Sequence, residues 1–270
     1  MLILVINMKR YLSIYRCLLL LNYHRALIHK ADFLNGLFGS IIWGVFSIVA
    51  IFILTSRSAS VFGWSREELF VLIGVFNILI GGVFRTLFSR NFDRFTHMIQ
   101  YGDLDGLLLK PIDSQFALSF WYISYHGMVR VALSVIYTVI VLSLAHIPLT
   151  FFSVMSFISL GIFGIMTLYA VWYLVMTIII WFPDLHNLVE MLFAVDTLSR
   201  YPPQVLWAMR VAVFLIFFPI TLTVSIPTKA LLHTANGTDA VLLIGTGLGL
   251  FYLSQKFWKF ALRYYTSASG

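Results

Sequence analysis

Charge is scarce in this chain. Only 11% of the 270 residues are Asp, Glu, Lys or Arg, while 60% are hydrophobic and 17% aromatic; a soluble domain carries about 25% charged residues. That excludes an ordinary soluble globular protein, and the apolar content excludes a disordered chain. Cysteine is nearly missing as well. Cys17 stands alone, so neither a disulfide framework nor a multi-thiolate metal centre fits within one chain. There is no GxxxxGK[ST] segment for a phosphate-cradling loop and no G-x-S-x-G nucleophile elbow. Gly245, Gly247 and Gly249 form a GxGxG string, but no βαβ unit surrounds it. What remains is a polytopic helical membrane protein with room for about six spans of ~20 residues. The net charge of +7 then reads as basic residues gathered on one membrane face, not as nucleic-acid affinity.

Uncharged runs mark the spans. Residues 33–54 form the first and 69–88 the second, with Arg85 near enough to the end of its span to snorkel. Residues 131–180 hold no Asp, Glu, Lys or Arg. One helix of that length would reach about 75 Å, so the run folds back. His146-Ile147-Pro148 marks the bend, because proline ends a helix. Spans three to six are expected at about 120–145, 151–180, 205–226 and 240–260. Small residues at Gly36, Ser40 and Gly44, at Gly74 and Gly81, and at Gly245 and Gly249 suggest packing between helices or subunits. Pro219 and Pro227 make a continuous helix improbable across the outer end of span five, so a re-entrant segment is expected there. Residues 184–198 read as an amphipathic helix with a stripe of Leu185, Leu188, Leu192 and Val195; a poor seventh span is the alternative.

Six spans put both termini on one side. That side collects Lys9, Arg10, Arg16, Arg25 and Lys30, then Arg85, Arg90, Arg94 and Lys110, then Arg200 and Arg210, then Lys256, Lys259 and Arg263. The other side has Arg57, Arg66 and Lys229, and Arg130 is left over near span three. The bias places the termini in the cytoplasm. Residues 1–32 suit a basic helix lying in the headgroup plane, with Lys9, Arg16 and Lys30 on one face and Leu12, Leu19 and Ala26 on another.

Chemistry-bearing clusters are few. His186 and Glu190 share a helical face but lack further ligands, and Asp103, Asp105 and Asp113 lack the residues a magnesium-dependent lipid enzyme needs. The informative stretch is Gly102-Asp103-Leu104-Asp105-Gly106-Leu107-Leu108-Leu109-Lys110-Pro111, between spans two and three. It reads as a glycine turn, a short helical turn with acids at its start and Lys110 at its end, and a proline stop. Leu104, Leu107 and Leu108 can share one face of that turn, fit to dock on another protein.

This stretch resembles the G-x-L-D-x-x-L-x-K-P motif of the type-2 ATP-binding-cassette (ABC) permeases, the membrane subunits of bacterial ABC transporters. Three further segments agree, in order along the chain. Phe62-Gly63-Trp64-Ser65 with Glu67-Glu68-Leu69 resembles the entry to the family's second span. Arg200-Tyr201-Pro202 resembles its R-Y-P before span five. Arg263 to Gly270 resembles its Y-T-S-A-S ending. The apolar lead Met1–Asn7 departs from the pattern and suits a start at Met8.

The resemblance implies an all-α membrane fold with six transmembrane helices, an N-terminal interfacial helix, a cytoplasmic coupling helix, and a re-entrant hairpin between spans five and six. Gly102, Asp103, Leu104, Asp105, Leu107, Leu108, Lys110 and Pro111 would form the ATPase-coupling element. The expected partners are a dimer of ABC ATP-binding subunits, a second permease chain (identical or homologous) and the bilayer. ATP and magnesium would sit on the ATPase, with no cofactor on this chain. The place would be the bacterial inner membrane. Arg130, Glu190, Pro219 and Pro227 are the candidate translocation-path residues. The aromatic content and the acids at Asp184, Glu190 and Asp196 lean toward hydrophobic or cationic cargo exported by ATP hydrolysis. A membrane enzyme of lipid head groups and a secondary transporter are the alternatives.

Overall fold

The computed structural model describes residues 2–56, 60–61, 63–183, 185, 187–204 and 211–266, with side chains from residue 9 and none for 211–217. The described structure is helical apart from one two-stranded ribbon. The elements are α1 (Leu2–Ile28), α2 (Lys30–Thr55), β1 (Ser60–Val61), β2 (Trp64–Ser65), α3 (Arg66–Ile78), a π-helical stretch (Leu79–Ser89) and α4 (Arg90–Gln100). They continue with α5 (Leu104–Leu108), α6 (Ser114–Phe120), α7 (His126–Leu144), α8 (Phe151–Thr177), α9 (Leu188–Asp196), α10 (Val211–Leu231) and α11 (Gly237–Ala261).

Local chemistry sets most boundaries. Ser65 and Glu68 form a reciprocal capping box that starts α3 at the end of the ribbon, and Thr150 with Ser153 does the same for α8. Asn236 with Asp239 caps α11. Between α7 and α8 the chain turns through His146, whose φ of 54° is left-handed, and Pro148 follows. At the same end of the molecule the His233 ring lies 2.8 Å from the Pro148 carbonyl oxygen, and Lys229 pairs with Asp239 at 3.0 Å. These contacts define the far end. The near end carries α1, α5, α6 and the end of α11.

Five helices among the described residues are long and apolar enough to cross a membrane: Lys30–Thr55, Arg66–Gln100, His126–Leu144, Phe151–Ile180 and Gly237–Ala261. The first, fourth and sixth expected spans agree with them within a few residues. The second does not stop at residue 88. It runs unbroken for 35 residues to Gln100, about 52 Å at α-helical rise. That exceeds a ~30 Å hydrocarbon core, so its near end stands proud of it. The third begins at His126 instead of residue 120, because α6 is a separate short helix.

The long α3–α4 helix is the axis of the fold and the most buried of the long helices, while α2 and α11 expose most of theirs. Its contacts with α7 are made by glycines. A Cβ at Gly74 would meet Thr138, one at Gly81 would meet the Arg130 guanidinium, and one at Gly82 would meet Val131. From the other side Gly127 of α7 admits Thr86. Removing side chains at these points lets two helix backbones approach, which is how helices pack where lipid supplies no hydrophobic drive. Gly36 and Gly44 of α2 face His126 and Arg130 of α7 in the same way. Gly245 and Gly249 meet nothing, and Gly247 is the α11 glycine that packs, on Thr167 and Phe163.

Toward the near end the seam becomes aromatic. Phe84, Phe88, Phe92 and Phe95, spaced four, four and three residues apart, stack against Tyr169, Trp172 and Tyr173 of α8 and Trp258 of α11. Such pairs add about 0.5–1.5 kcal/mol each beyond burial.

Two expectations are corrected. α1 is helical, but Leu12, Leu19 and Ala26 only flank its inward face, Leu19 and Ala26 half-buried and Leu12 exposed. Tyr11, Tyr15, Leu18, Asn22 and Arg25 form that face, one turn apart, and they bind residues 111–125. Arg10 donates to the Pro111 carbonyl (2.7 Å), Tyr11 receives Asp113 N–H at 3.0 Å, and Asn22 donates to Trp121 O (3.0 Å). Polar and aromatic anchors, not an aliphatic stripe, decide the docking. The second correction concerns the expected re-entrant segment at 219–239. α10 stays helical through both Pro219 and Pro227, and a five-residue turn follows. Hydroxyls supply part of the hydrogen bonding around the prolines: Thr221 donates to Phe218 O, Thr223 to Ile220 O, Ser225 to Thr221 O and Thr228 to Val224 O. Pro227 gives no N–H to the Thr223 carbonyl, and that carbonyl lies over Gly164 of α8, where a Cβ would be 2.6 Å from the oxygen.

Gly164→Ala is therefore expected to destabilise the isolated chain by about 1–3 kcal/mol through forced separation of α8 and α10. Gly245→Ala should be neutral or slightly stabilising, since nothing opposes it and alanine favours helix. Thermal unfolding of the purified chain in detergent checks both; equal melting of Gly164→Ala and wild type would contradict the packing.

Candidate coupling and translocation sites

Two sites lie along the α3–α4 axis, one at its near end and one about midway. The first is the expected coupling segment. α4 ends at Gln100, and the chain reverses at Gly102, whose φ of 77° is left-handed and suits glycine alone among ordinary residues. α5 then carries Leu104 to Leu108. Leu104 is 0% exposed and Leu107 3%, both inside the main core, whereas Leu108 is 37% and Leu109 87% exposed. The expected outward face of Leu104, Leu107 and Leu108 is thus corrected. Two of those leucines staple α5 to its own membrane domain, and the outward surface is Leu108 and Leu109 with exposed Tyr101 and Asp103. The i, i+3, i+4 rule admits both faces; sequence spacing does not say which one the core claims.

The rest of the motif braces this small helix. Lys110 lies 4.4 Å from the Trp121 ring centroid, Pro111 receives Arg10, and Asp113 caps α6 by accepting from Phe116 N–H. Asp103 is the α5 N-cap residue but makes no side-chain cap. Asp105 stands beside Tyr265; burial first and that carboxylate second push the Tyr265 phenol above its usual pKa. α6 is tied in turn to α8 through Gln115 and Ser119 on the Tyr169 hydroxyl, and to α11 through Trp258 Nε1 on Ser114 Oγ at 3.0 Å. Asp103, Asp105 and Asp113 therefore have separate jobs. No three His, Cys, Asp or Glu side chains converge among the described residues.

The second site is a cavity of about 290 Å³ lined by Trp43, Phe76, Arg85, Arg130, Phe193, Ala194, Thr197 and Arg200. Arg130 sits in the second turn of α7 and is 4% exposed. It does not snorkel. Its Nη2 donates to Asn77 Oδ1, and Asn77 Nδ2 donates to Ser47 Oγ (2.8 Å) and Ile73 O (2.9 Å), linking α7, α3 and α2. Arg85 belongs to the π-helical stretch and stacks on Phe193 with its Cζ 4.6 Å from the centroid; Arg200 stacks on Phe76 at 4.9 Å. None of the three guanidinium groups lies within 4.0 Å of a carboxylate among the described residues. Asp196 is the buried acid nearest in charge to Arg85, but both of its oxygens accept from Trp172 Nε1 at 3.0 and 3.1 Å. A buried guanidinium without a carboxylate partner is costly to hold. Holding three around one cavity calls for a purpose beyond packing.

Of the candidate path residues, Arg130 lines this cavity and the other three do not. Glu190 is exposed on α9, Pro219 is half-buried, and Pro227 is buried on α10 against α8. The face that α9 buries is Val189, Leu192 and Asp196, so the expected leucine stripe is only partly right. Asp184, His186 and Arg210 lie outside the described residues, as do Arg57, Phe62, Ser267 to Gly270 and the first residues expected for span five. Arg85 and Arg200 were missed as partners of Arg130. Both sit beside aromatic residues, but only the fold brings the three together.

Leu107→Ala is expected to lower stability by about 2–5 kcal/mol, as a buried leucine truncation does. Leu109→Asp should leave the melting temperature unchanged, because its side chain touches almost nothing. Unfolding of both variants in detergent checks which face of α5 belongs to the fold.

The sequence model of the family described as ABC-2 family transporter protein matches residues 41–269. No curated protein and no solved structure matches the chain. The matched stretch covers α2 from its fourth turn to beyond the end of α11, with both sites inside it. The chain belongs to the ABC-2 family of transporter membrane proteins.

Proposed function

We propose that this ABC permease subunit is the membrane half of an exporter, working as a pair of permease chains on a dimer of ATP-binding subunits. The near end then faces the cytoplasm of a bacterial cell, with both termini there, as the basic residues of α1, α4 and α11 favour. α10 supplies the remaining crossing, giving six. The observation that carries the reading is α5: a short helix anchored by Leu104 and Leu107 that presents Leu108 and Leu109 away from its own domain.

ATP and magnesium belong to the partner in this scheme, and this chain's work is mechanical. Closure of the ATPase dimer pushes on α5. The push passes through the Gly102 turn into α4 and, through Lys110–Trp121 and the bonds of residues 111–125, into α1 and α7. The long axis carries it to the arginine cavity, where cargo binds and is released on the far side. The aromatic walls keep the expected apolar cargo. The three arginines weigh against a cationic one, because like charges repel strongly in a low-dielectric site.

Leu109→Asp in the intact complex tests the reading. The expected result is loss of ATPase co-purification and of cargo-stimulated ATP hydrolysis, with membrane insertion unchanged. The chain purified alone should turn over no ATP. Normal co-purification and hydrolysis in Leu109→Asp would overturn the coupling role, and gradient-driven transport by the chain alone would favour a secondary transporter.

A further inference from the structure

The geometry points to the cavity between α2, α3, α7 and the α9 segment as a binding site for a compact anion, a phosphate or carboxylate, carried on an apolar body. The inference rests on the permease reading and deepens it by naming the chemistry of the cargo.

Three observations converge. The first is charge. Arg85, Arg130 and Arg200 line one cavity of about 290 Å³, and Arg130 feels the repulsion of the other two. Two acids, Asp196 and Asp93, act on Arg85, but neither lines the cavity and Asp196 already accepts from Trp172. Cations stay away from such a site, and an anion is drawn in.

The second is unmet hydrogen bonding. The Nε groups of Arg130 and Arg200 are buried without a partner among the described residues, and Arg130 is more than nine-tenths buried. Buried N–H donors without acceptors are costly, and the cost is removed when an acceptor arrives. A phosphate or carboxylate offers several acceptor oxygens in a geometry that matches the planar guanidinium fork.

The third is orientation. Phe193 and Phe76 hold Arg85 and Arg200 by their faces, which leaves the N–H edges for a ligand. Asn77, itself braced by Ser47 and Ile73 O, holds Arg130 by one nitrogen. The aromatic residues that fix the arginines also form the cavity wall, with Trp43 at its edge. Trp43, Phe46 and Ile42 are exposed along α2, so an apolar tail has a surface to follow out of the cavity. The occupant that suits all three observations is an anionic amphiphile.

Binding to the full-length chain in maltoside detergent tests this, read as a ligand-induced rise in melting temperature. The probes are dodecyl phosphate, dodecyltrimethylammonium and inorganic phosphate. The expected result is stabilisation by dodecyl phosphate and none by the ammonium. Arg200→Gln and Arg85→Gln should each weaken the dodecyl phosphate effect roughly tenfold in apparent Kd, the size of one lost charged hydrogen bond. Arg130→Gln should do the same; if it does not fold, the other two variants decide. Equal stabilisation by inorganic phosphate would keep the anion site and assign it to a free anion instead of a head group. Equal stabilisation by the ammonium, or unchanged affinity in Arg85→Gln and Arg200→Gln, overturns the proposal. The assay needs no ATPase, so its failure is separable from a failure of coupling at Leu109.

Discussion

Arg130 is the constraint around which the membrane domain is arranged. A guanidinium buried in the second turn of α7 needs a slot, a hydrogen-bond acceptor and a route to something polar. Gly81 provides the slot, since any Cβ there would overlap the guanidinium carbon at 2.5 Å. Asn77 provides the acceptor, and its own amide is held by Ser47 on α2 and by the backbone of α3. The cavity provides the polar route. Gly81 and Gly82 sit in the π-helical stretch Leu79–Ser89. Such stretches often occur at functional sites, and here the stretch also carries Arg85.

From this point the architecture follows outward. The same helix that seats Arg130 continues through the aromatic seam of Phe84 to Phe95 to the turn at Gly102. The cavity, midway along this helix, and the α5 surface beyond its near end are therefore joined by one rod. Interdigitated rings along that rod resist sliding, so a displacement of α5 is transmitted and not absorbed. The 111–125 segment adds a second connection, pinned to α1, α8 and α11 by side-chain bonds to Tyr11, Tyr169 and Trp258. α1 has the role of a brace on that segment. Its attachment depends on tyrosines and one asparagine.

Much of the fold was legible in the sequence because long uncharged runs leave no alternative in a bilayer. Residues 33–54, 151–180 and 240–260 are within a few residues of α2, of α8 with its terminal turn, and of α11. The second span was read short because Arg90, Asp93 and Arg94 interrupt the run. Arg90 and Asp93 are exposed on α4 and Arg94 half-buried, and Arg90 and Arg94 lie over Tyr122 and Trp121. Pro219 and Pro227 were read as breaks because the rule counts the missing N–H groups. It does not see the hydroxyls of Thr221, Thr223, Ser225 and Thr228, which add bonds to neighbouring carbonyls along the same helix. At the sites the motif marked a short helix at the near end, but a five-residue helix has two apolar faces and only packing chooses between them. Arg130 was legible as an anomaly in an apolar run. Its companions were not, because Arg85 and Arg200 sit near span ends, where an arginine ordinarily snorkels.

The seating of Arg130 against Gly81 is the claim on which the rest stands, and a double-mutant cycle tests it directly. Gly81→Ala, Arg130→Ala and the combined variant would be compared by thermal unfolding of the purified full chain. Gly81→Ala should destabilise the protein strongly when Arg130 is present and hardly at all when residue 130 is alanine, because the added methyl then has space. Strictly additive effects in the double variant would show that the two residues do not meet, and the glycine seam would no longer explain how the cavity is built.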